Sequence, residues 1–223
     1  MTDLHQNLLI DLNDSENLPN VNKKVTFLRK IKTFLMKVLF YLNKKWTHKY
    51  DVELKRVAVH VAGSVVAGYF TEHRVRFVTI APTTEPNFGV TMFNPRMEWF
   101  TTPFLQVVIY YAGKVAEELF LGQSLRYSGD LSLIDELVMK MVTKWGMAAK
   151  IGYMNFATAS EEDKKLIMKE VNSVKAKARE FAKQIITEHI DGFIKIVAVL
   201  MTHYSLHWRE IKEILDGNSS FFS

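Results

Sequence analysis

Between Val57 and Thr71 the chain runs for 15 residues without a charged side chain, and its apolar residues there fall at helical steps. Leu54, Val57, Ala58, Val61, Ala62, Val65, Val66 and Tyr69 make one broad stripe, the pattern of a helix that lays a wide face on a core. A second uncharged stretch, Trp99 to Gly113, is also 15 residues long. Both fall below the roughly 18–20 residues needed to cross a bilayer, so no transmembrane helix is expected and these stretches belong to a folded interior. The 223 residues are 48% hydrophobic and 12% aromatic, which is globular composition.

The remaining signals extend this into one mainly α-helical domain over 51–216 with a small β-sheet or hairpin. Asp51 is placed to cap the first helix. Arg74 to Ile80 alternates, Pro82 to Asn87 carries turn signals, and Gly89 to Phe93 is strand-like, which together read as a hairpin. Helices are expected from about Glu98 to Phe120, closed by Gly122, and from about Asp130 to Trp145, stopped near Gly146. A charged helical stretch from Ser160 to His189 leads into the apolar segment Phe193 to Leu200, and a short last helix spans about Trp208 to Leu215. Thr202 to Trp208 reads as a turn, and 217–223 as a tail.

Charge is unevenly placed. Residues 1–22 hold Asp3, Asp11, Asp14 and Glu16 with no Lys or Arg, and residues 23–50 hold nine bases with no acid. The rest of the chain is neutral, which argues against a nucleic-acid partner for the main domain. Residues 1–22 lack periodicity and read as a flexible or extended arm, without the look of a secretory signal or Arg-rich transit peptide. From 23 to 50 the apolar residues Phe27, Leu28, Ile31, Phe34, Leu35, Val38 and Leu39 recur at three and four residue steps, with Arg29, Lys30 and Lys37 mostly off that stripe. This is a basic amphipathic helix, suited to an anionic lipid surface or to docking on protein. Cysteine is absent, so disulfides, thiolate-bound metals and thiol catalysis are excluded together.

His60-Val61-Ala62-Gly63-Ser64 carries the chemical question. On a helix, residues i and i+4 share a face, which is why His-Glu-x-x-His binds zinc through two imidazoles while the Glu activates water. Here the first His is present, but Val61 stands at the base position and Ser64 at the second ligand position. The surrounding text, Arg56 to Phe70, resembles the zinc helix of the FtsH-type ATP-dependent zinc proteases. Val78-Thr79-Ile80 with Gly89-Val90-Thr91 resembles that family's strand pair, and Tyr111 to Leu119 its Gly-Gly-Arg-Ala-Ala-Glu-Glu helix. Ser128-Gly129-Asp130-Leu131 is similar to the turn bearing its third zinc ligand, and Met141 to Met147 with Ile151-Gly152 to its Met-Val-x-x-Trp-Gly-Met segment.

That resemblance implies a helical FtsH-type peptidase domain over 51–216 with His60 and Asp130 as vestigial ligand positions. It implies no bound metal or cofactor and no proteolysis, since Val61 cannot accept a proton and Ser64 is a poor zinc donor. Without a G-x-x-x-x-G-K-[ST] sequence (Val108 and Val115 flank Gly113-Lys114 wrongly), the chain is expected to have no ATPase motor of its own. The expected role is a structural or accessory subunit of a membrane-associated complex, peripheral to the mitochondrial inner membrane and within a respiratory-chain assembly, with plastid or bacterial membranes as alternatives. Its partners are other protein subunits and anionic lipid, not nucleic acid or a small-molecule substrate. Three alternatives stay open: a peptide-binding adaptor using Phe88, Gly89, Val90 and Thr91 as a strand edge; a residual metalloprotease combining His60 and Asp130 with Glu117 or Glu118; and a lipid-binding module resting on residues 23–46. His73, His203 and His207 are expected to be structural or solvent-exposed.

Overall fold

A computed structural model describes residues 49–73, 75–81, 89–93, 103–122, 128–148, 151–152 and 154–217. The arm of residues 1–22, the basic segment with Phe27, Leu28, Arg29, Lys30, Ile31, Phe34, Leu35, Lys37, Val38 and Leu39, and Phe88 all lie outside the described residues. So do residues 218–223. The described residues belong to one compact unit.

Helix α1 (Lys49–Phe70) is the centre of the fold. Val57, Val59, Val61, Val65 and Val66 are all buried within it, although β-branched residues are mediocre helix formers. Each costs roughly 0.5 kcal/mol relative to alanine, whereas burying a valine side chain contributes about 1.5 kcal/mol or more, so tertiary burial decides. The helix opens at Lys49, two residues ahead of Asp51. Asp51 therefore stands within the helix and not ahead of it, a correction to the sequence reading. At the other end His73 N–H donates to Gly68 O at 2.8 Å and Glu72 N–H to Tyr69 O at 3.2 Å, with Glu72 at φ 64°. That is a Schellman ending with glutamate where glycine is usual.

Strands β1 (Val75–Thr79) and β2 (Val90–Phe93) pair antiparallel, Val78 opposite Thr91. A register shift between Val75 and Phe77 lets Val75 and Val78, three residues apart, both be buried, as a bulge does. Strand β3 (Ser205–His207) completes the order β2-β1-β3, with Leu206 opposite Val78 and both fully buried. The expected hairpin is therefore a three-stranded sheet, and the expected turn before the last helix is its third strand.

Helix α2 (Pro103–Leu121) begins with proline, whose missing N–H costs nothing there, and Gly122 follows at φ 79°. Helix α3 spans Ser128–Thr143. Helix α4 (Glu161–Glu188) is capped by Ser160, whose Oγ accepts from Asp163 N–H at 3.1 Å. Helix α5 (Ile190–His203) ends at Tyr204, φ 64°. Helix α6 (Trp208–Leu215) starts in a capping box between His207 and Glu210. Around α1 the main packing neighbours are α2, α5 and α4, and α2 in turn meets α4 and α3.

Candidate functional site

The α1–α2 crossing sets the site. A Cβ built on Gly63 would lie 2.5 Å from Ala112 O and 2.8 Å from Ala116 Cβ, so the two helices approach at backbone distance. One turn away, a Cβ on Gly113 would lie 2.4 Å from His60 Nε2. The imidazole thus rests flat against the bare backbone of α2, in space that any larger residue at 113 would fill.

This approach delivers Glu117 to the ring. His60 Nδ1 is 2.7 Å from Glu117 Oε1, and His60 Nε2 is 3.1 Å from Asp130 Oδ2 in the first turn of α3. His60 is 8% exposed and Glu117 is fully buried, its Oε2 without a hydrogen-bond partner. Asp130 closes the outer side, with its side chain 31% exposed. Each ring nitrogen faces a carboxyl oxygen, and with both carboxyl groups ionised the two contacts are hydrogen bonds only when both nitrogens carry a proton. Burial works against the charge on His60, but the hydrogen bonds to Asp130 and Glu117 and their charges together outweigh it and raise its pKa.

The sign for stability follows. A group whose folded pKa lies above its unfolded value contributes fully below the unfolded histidine value of about 6.5 and loses that contribution as pH rises through the folded value. The urea midpoint is expected to fall as pH is raised from 6 towards 9. A His60→Leu variant measured across the same range should show that slope flattened, and an unchanged slope would show that His60 is not its source.

The other positions fall as follows. Val61 is buried at 4% exposure under the entry to β2, where a Cβ on Gly89 would meet Val57 Cγ1 at 2.5 Å and Val61 Cγ2 at 2.9 Å. Gly89 itself sits at φ 87°. Ser64 is half-buried one helical turn beyond His60. Glu118 turns away from the site and pairs with Arg179 of α4 at 2.5 Å. Val90 and Thr91 lie in β2. His73 is buried, with Nδ1–H donating to Thr71 O at 3.1 Å, and burial lowers its pKa. His203 closes α5 while His207 sits in β3, so the two do not share a helix face.

The sequence reading grouped His60 and Asp130 with Glu117 or Glu118 without choosing between the two glutamates; the structure places Glu117 on the ring. The signal that could have chosen between them is the run of small residues Ala112, Gly113 and Ala116 just ahead of Glu117, opposite Gly63 and His60 on α1.

The chain is similar to ATP-dependent zinc metalloproteases. The chain is 25% identical over 219 residues, 88% of its length, to the ATP-dependent zinc metalloprotease FtsH of Rickettsia bellii, covering 34% of that protein. It is 31% identical over 188 residues to FtsH 2 of Methylacidiphilum infernorum, covering 74% of this chain and 29% of that one. It is 27% identical over 180 residues to the mitochondrial FTSH 3 of rice, covering 74% of this chain and 22% of that one. The chain thus spans about a third or less of the length of these relatives.

Those names imply zinc. His60 and Asp130 are usable donors, but they contact one another, Glu117 holds the opposite ring nitrogen, and Ser64 offers only a neutral hydroxyl. No group of three or more His, Asp or Glu placed to hold a metal occurs among the described residues. A catalytic zinc takes three protein ligands and a water, so the donor set does not fit it. The scaffold is another matter: the family model for peptidase family M41 matches residues 49–214, from the first residue of α1 to the last turn of α6. A match of that extent, carrying His60, Glu117 and Asp130 on the same three packed helices, means that the chain belongs to peptidase family M41.

Proposed function

We propose that this chain is a catalytically inactive member of its family, acting as a structural or accessory subunit of a membrane-associated complex. The observation that carries the proposal is Val61, a buried aliphatic side chain at the position where the His-Glu-x-x-His chemistry requires a carboxylate. Loss of a general base typically costs about 10²- to 10⁴-fold in rate, and Ser64 removes a metal ligand from the same centre. The two losses act on different parts of one mechanism. The buried contact of Glu117 with His60 gives the domain a polar interior that serves its packing and supports a structural role.

The mitochondrial inner membrane, at a respiratory-chain assembly, is the proposed place of work, with plastid and bacterial membranes as alternatives. The rice relative named as mitochondrial supports this choice, and the basic amphipathic segment over 23–50 suits a peripheral attachment to lipid or protein. No helix among the described residues is long and apolar enough to cross a membrane.

The test uses the purified full chain with casein and zinc. The expected result is no fragment above background and no stoichiometric zinc retained after gel filtration, since a catalytic zinc takes three protein ligands. Chelator-sensitive cleavage would end the proposal. Elution with a large complex after mild detergent extraction is the matching expectation for the accessory role.

One observation favours a second reading, a peptide-binding adaptor. β2 is an outer strand of the described sheet, and its Val90 and Met92 are 40% and 48% exposed, so an extended peptide can add along it. Saturable binding of unfolded peptides that is lost in Met92→Lys with Val90→Lys would favour this reading, and binding unaffected by that pair would remove it.

A further inference from the structure

We propose that Asp216–Gly217, at the carboxy-terminal end of α6, is a site of spontaneous isoaspartate formation that Tyr69 and Lys212 hold in check. The inference goes beyond the accessory role and does not depend on it. An Asp–Gly pair is the chemical starting point, because glycine presents its backbone nitrogen with no side chain to shield it. The chain contains two such pairs, Asp191–Gly192 and Asp216–Gly217, and both aspartates are exposed. Exposure therefore cannot choose between them, but the backbone can.

Ring closure joins the glycine nitrogen to the aspartate Cγ, and the peptide between the two residues must rotate out of its native orientation. Asp191 and Gly192 lie in the first turn of α5, where that rotation takes the Asp191 carbonyl out of the helical ladder. A Cβ on Gly192 would also lie 2.6 Å from Leu215 Cδ2, so this glycine is packed closely against α6. Asp216 is instead the C-cap residue of α6, at φ −79° and ψ −5°. Gly217 follows at φ 80°, and among the described residues nothing lies within 4 Å of a Cβ built on it. Carbonyls at a helix end have no ladder to leave, and local opening there costs little.

What opposes the reaction is the fastening of the side chain. Tyr69 Oη–H, near the end of α1, donates to Asp216 Oδ1 at 2.5 Å, and Lys212 Nζ donates to Oδ2. The Tyr69 ring is backed by Trp208 of α6, with ring centroids 5.7 Å apart. With both oxygens held, Cγ is kept from turning onto the Gly217 nitrogen. The hydrogen bonds from Lys212 and then Tyr69 also hold the Asp216 carboxyl below the ordinary aspartate value, whereas ring closure needs the neutral acid.

The atoms balance without a co-reactant other than water. The Gly217 N–Cγ bond forms as a Cγ–O bond breaks, and the amide proton leaves with the carboxyl OH as water. A second water opens the resulting succinimide. Attack at the Asp216 backbone carbonyl carbon leaves the main chain running through Cβ and Cγ, with the free carboxylate directly on Cα. That carboxylate is a methylene shorter in reach, so it leaves its native contacts with Tyr69 and Lys212 and frees the end of α6 from α1.

The purified full chain is aged at mildly acid pH, its fold followed by circular dichroism, and mapped with an aspartate-specific endoprotease, which does not cut at isoaspartate. In the wild type, uncut product is expected to build up at 216 and severalfold less at 191. Tyr69→Phe and Lys212→Met should each raise the rate at 216 severalfold while leaving that at 191 unchanged. Amide hydrogen exchange over 208–215 should be faster in the aged protein than in the fresh one. Equal rates at the two pairs, or no gain at 216 in either variant, would overturn the proposal. A variant that merely loosens the fold isomerises at Asp191 as well, and the wild-type ratio of the two sites then decides by itself. Casein cleavage would end the accessory role and leave these rates untouched, so the two failures are distinguishable.

Discussion

Replacement of His60 by alanine is expected to lower the unfolding free energy by about 3–5 kcal/mol, the cost of removing one partner from a buried charge pair. Glu117 is the reason. Its side chain is fully buried, Oε2 already has no partner, and Oε1 is held by His60 Nδ1 at 2.7 Å. Without the imidazole the carboxylate keeps its desolvation cost and loses its compensation. The second variant separates this from simple loss of volume: His60→Leu with Glu117→Met removes both polar groups at similar size, and such replacements are often neutral or stabilising. Urea unfolding of the two variants should place the double replacement well above the single one. If both lie equally low, the cost is a packing defect and the polar contact carries little of it.

How far the sequence foretold this site depends on the range of each interaction. α1 was legible because its signal is local: apolar residues at three and four residue steps with no charge between Val57 and Thr71. The Asp51 boundary was not, since the chain enters the helix at Lys49 and a capping residue type is only a preference. Strand β3 has three residues and exists through its pairing with β1, more than a hundred residues earlier, so no periodicity could register it. Val75 and Val78 broke the alternation expected of a strand because the bulge between them turns both to the core.

The same distinction runs through the polar residues. His60 and Asp130 drew attention through motif positions, and they meet at 3.1 Å. Glu117 and Glu118 looked equivalent in sequence. Yet one turn of the helix puts Glu117 on His60 and Glu118 on Arg179, a choice made by which face of α2 touches α1.

Gly63→Val is expected to remove stability on the order of 3 kcal/mol or more, with loss of a cooperative unfolding transition as the extreme case. On an exposed helix, replacing glycine gains up to about 1 kcal/mol of helix propensity, less for a β-branched residue. Here the first added carbon would stand 2.5 Å from Ala112 O and 2.8 Å from Ala116 Cβ. One of those atoms is main chain and the other is fixed directly to it, so no rotamer change can make room. The helices must separate, which draws Gly113 away from the His60 ring and Glu117 away from Nδ1. Gly122→Val supplies the contrast: a Cβ there meets nothing within 4 Å, and its cost comes only from φ +79°. Urea unfolding followed by both circular dichroism and tryptophan fluorescence should find Gly122→Val cooperative and folded while Gly63→Val is not. Equal stability of the two would mean that α1 and α2 do not approach as closely as the site requires.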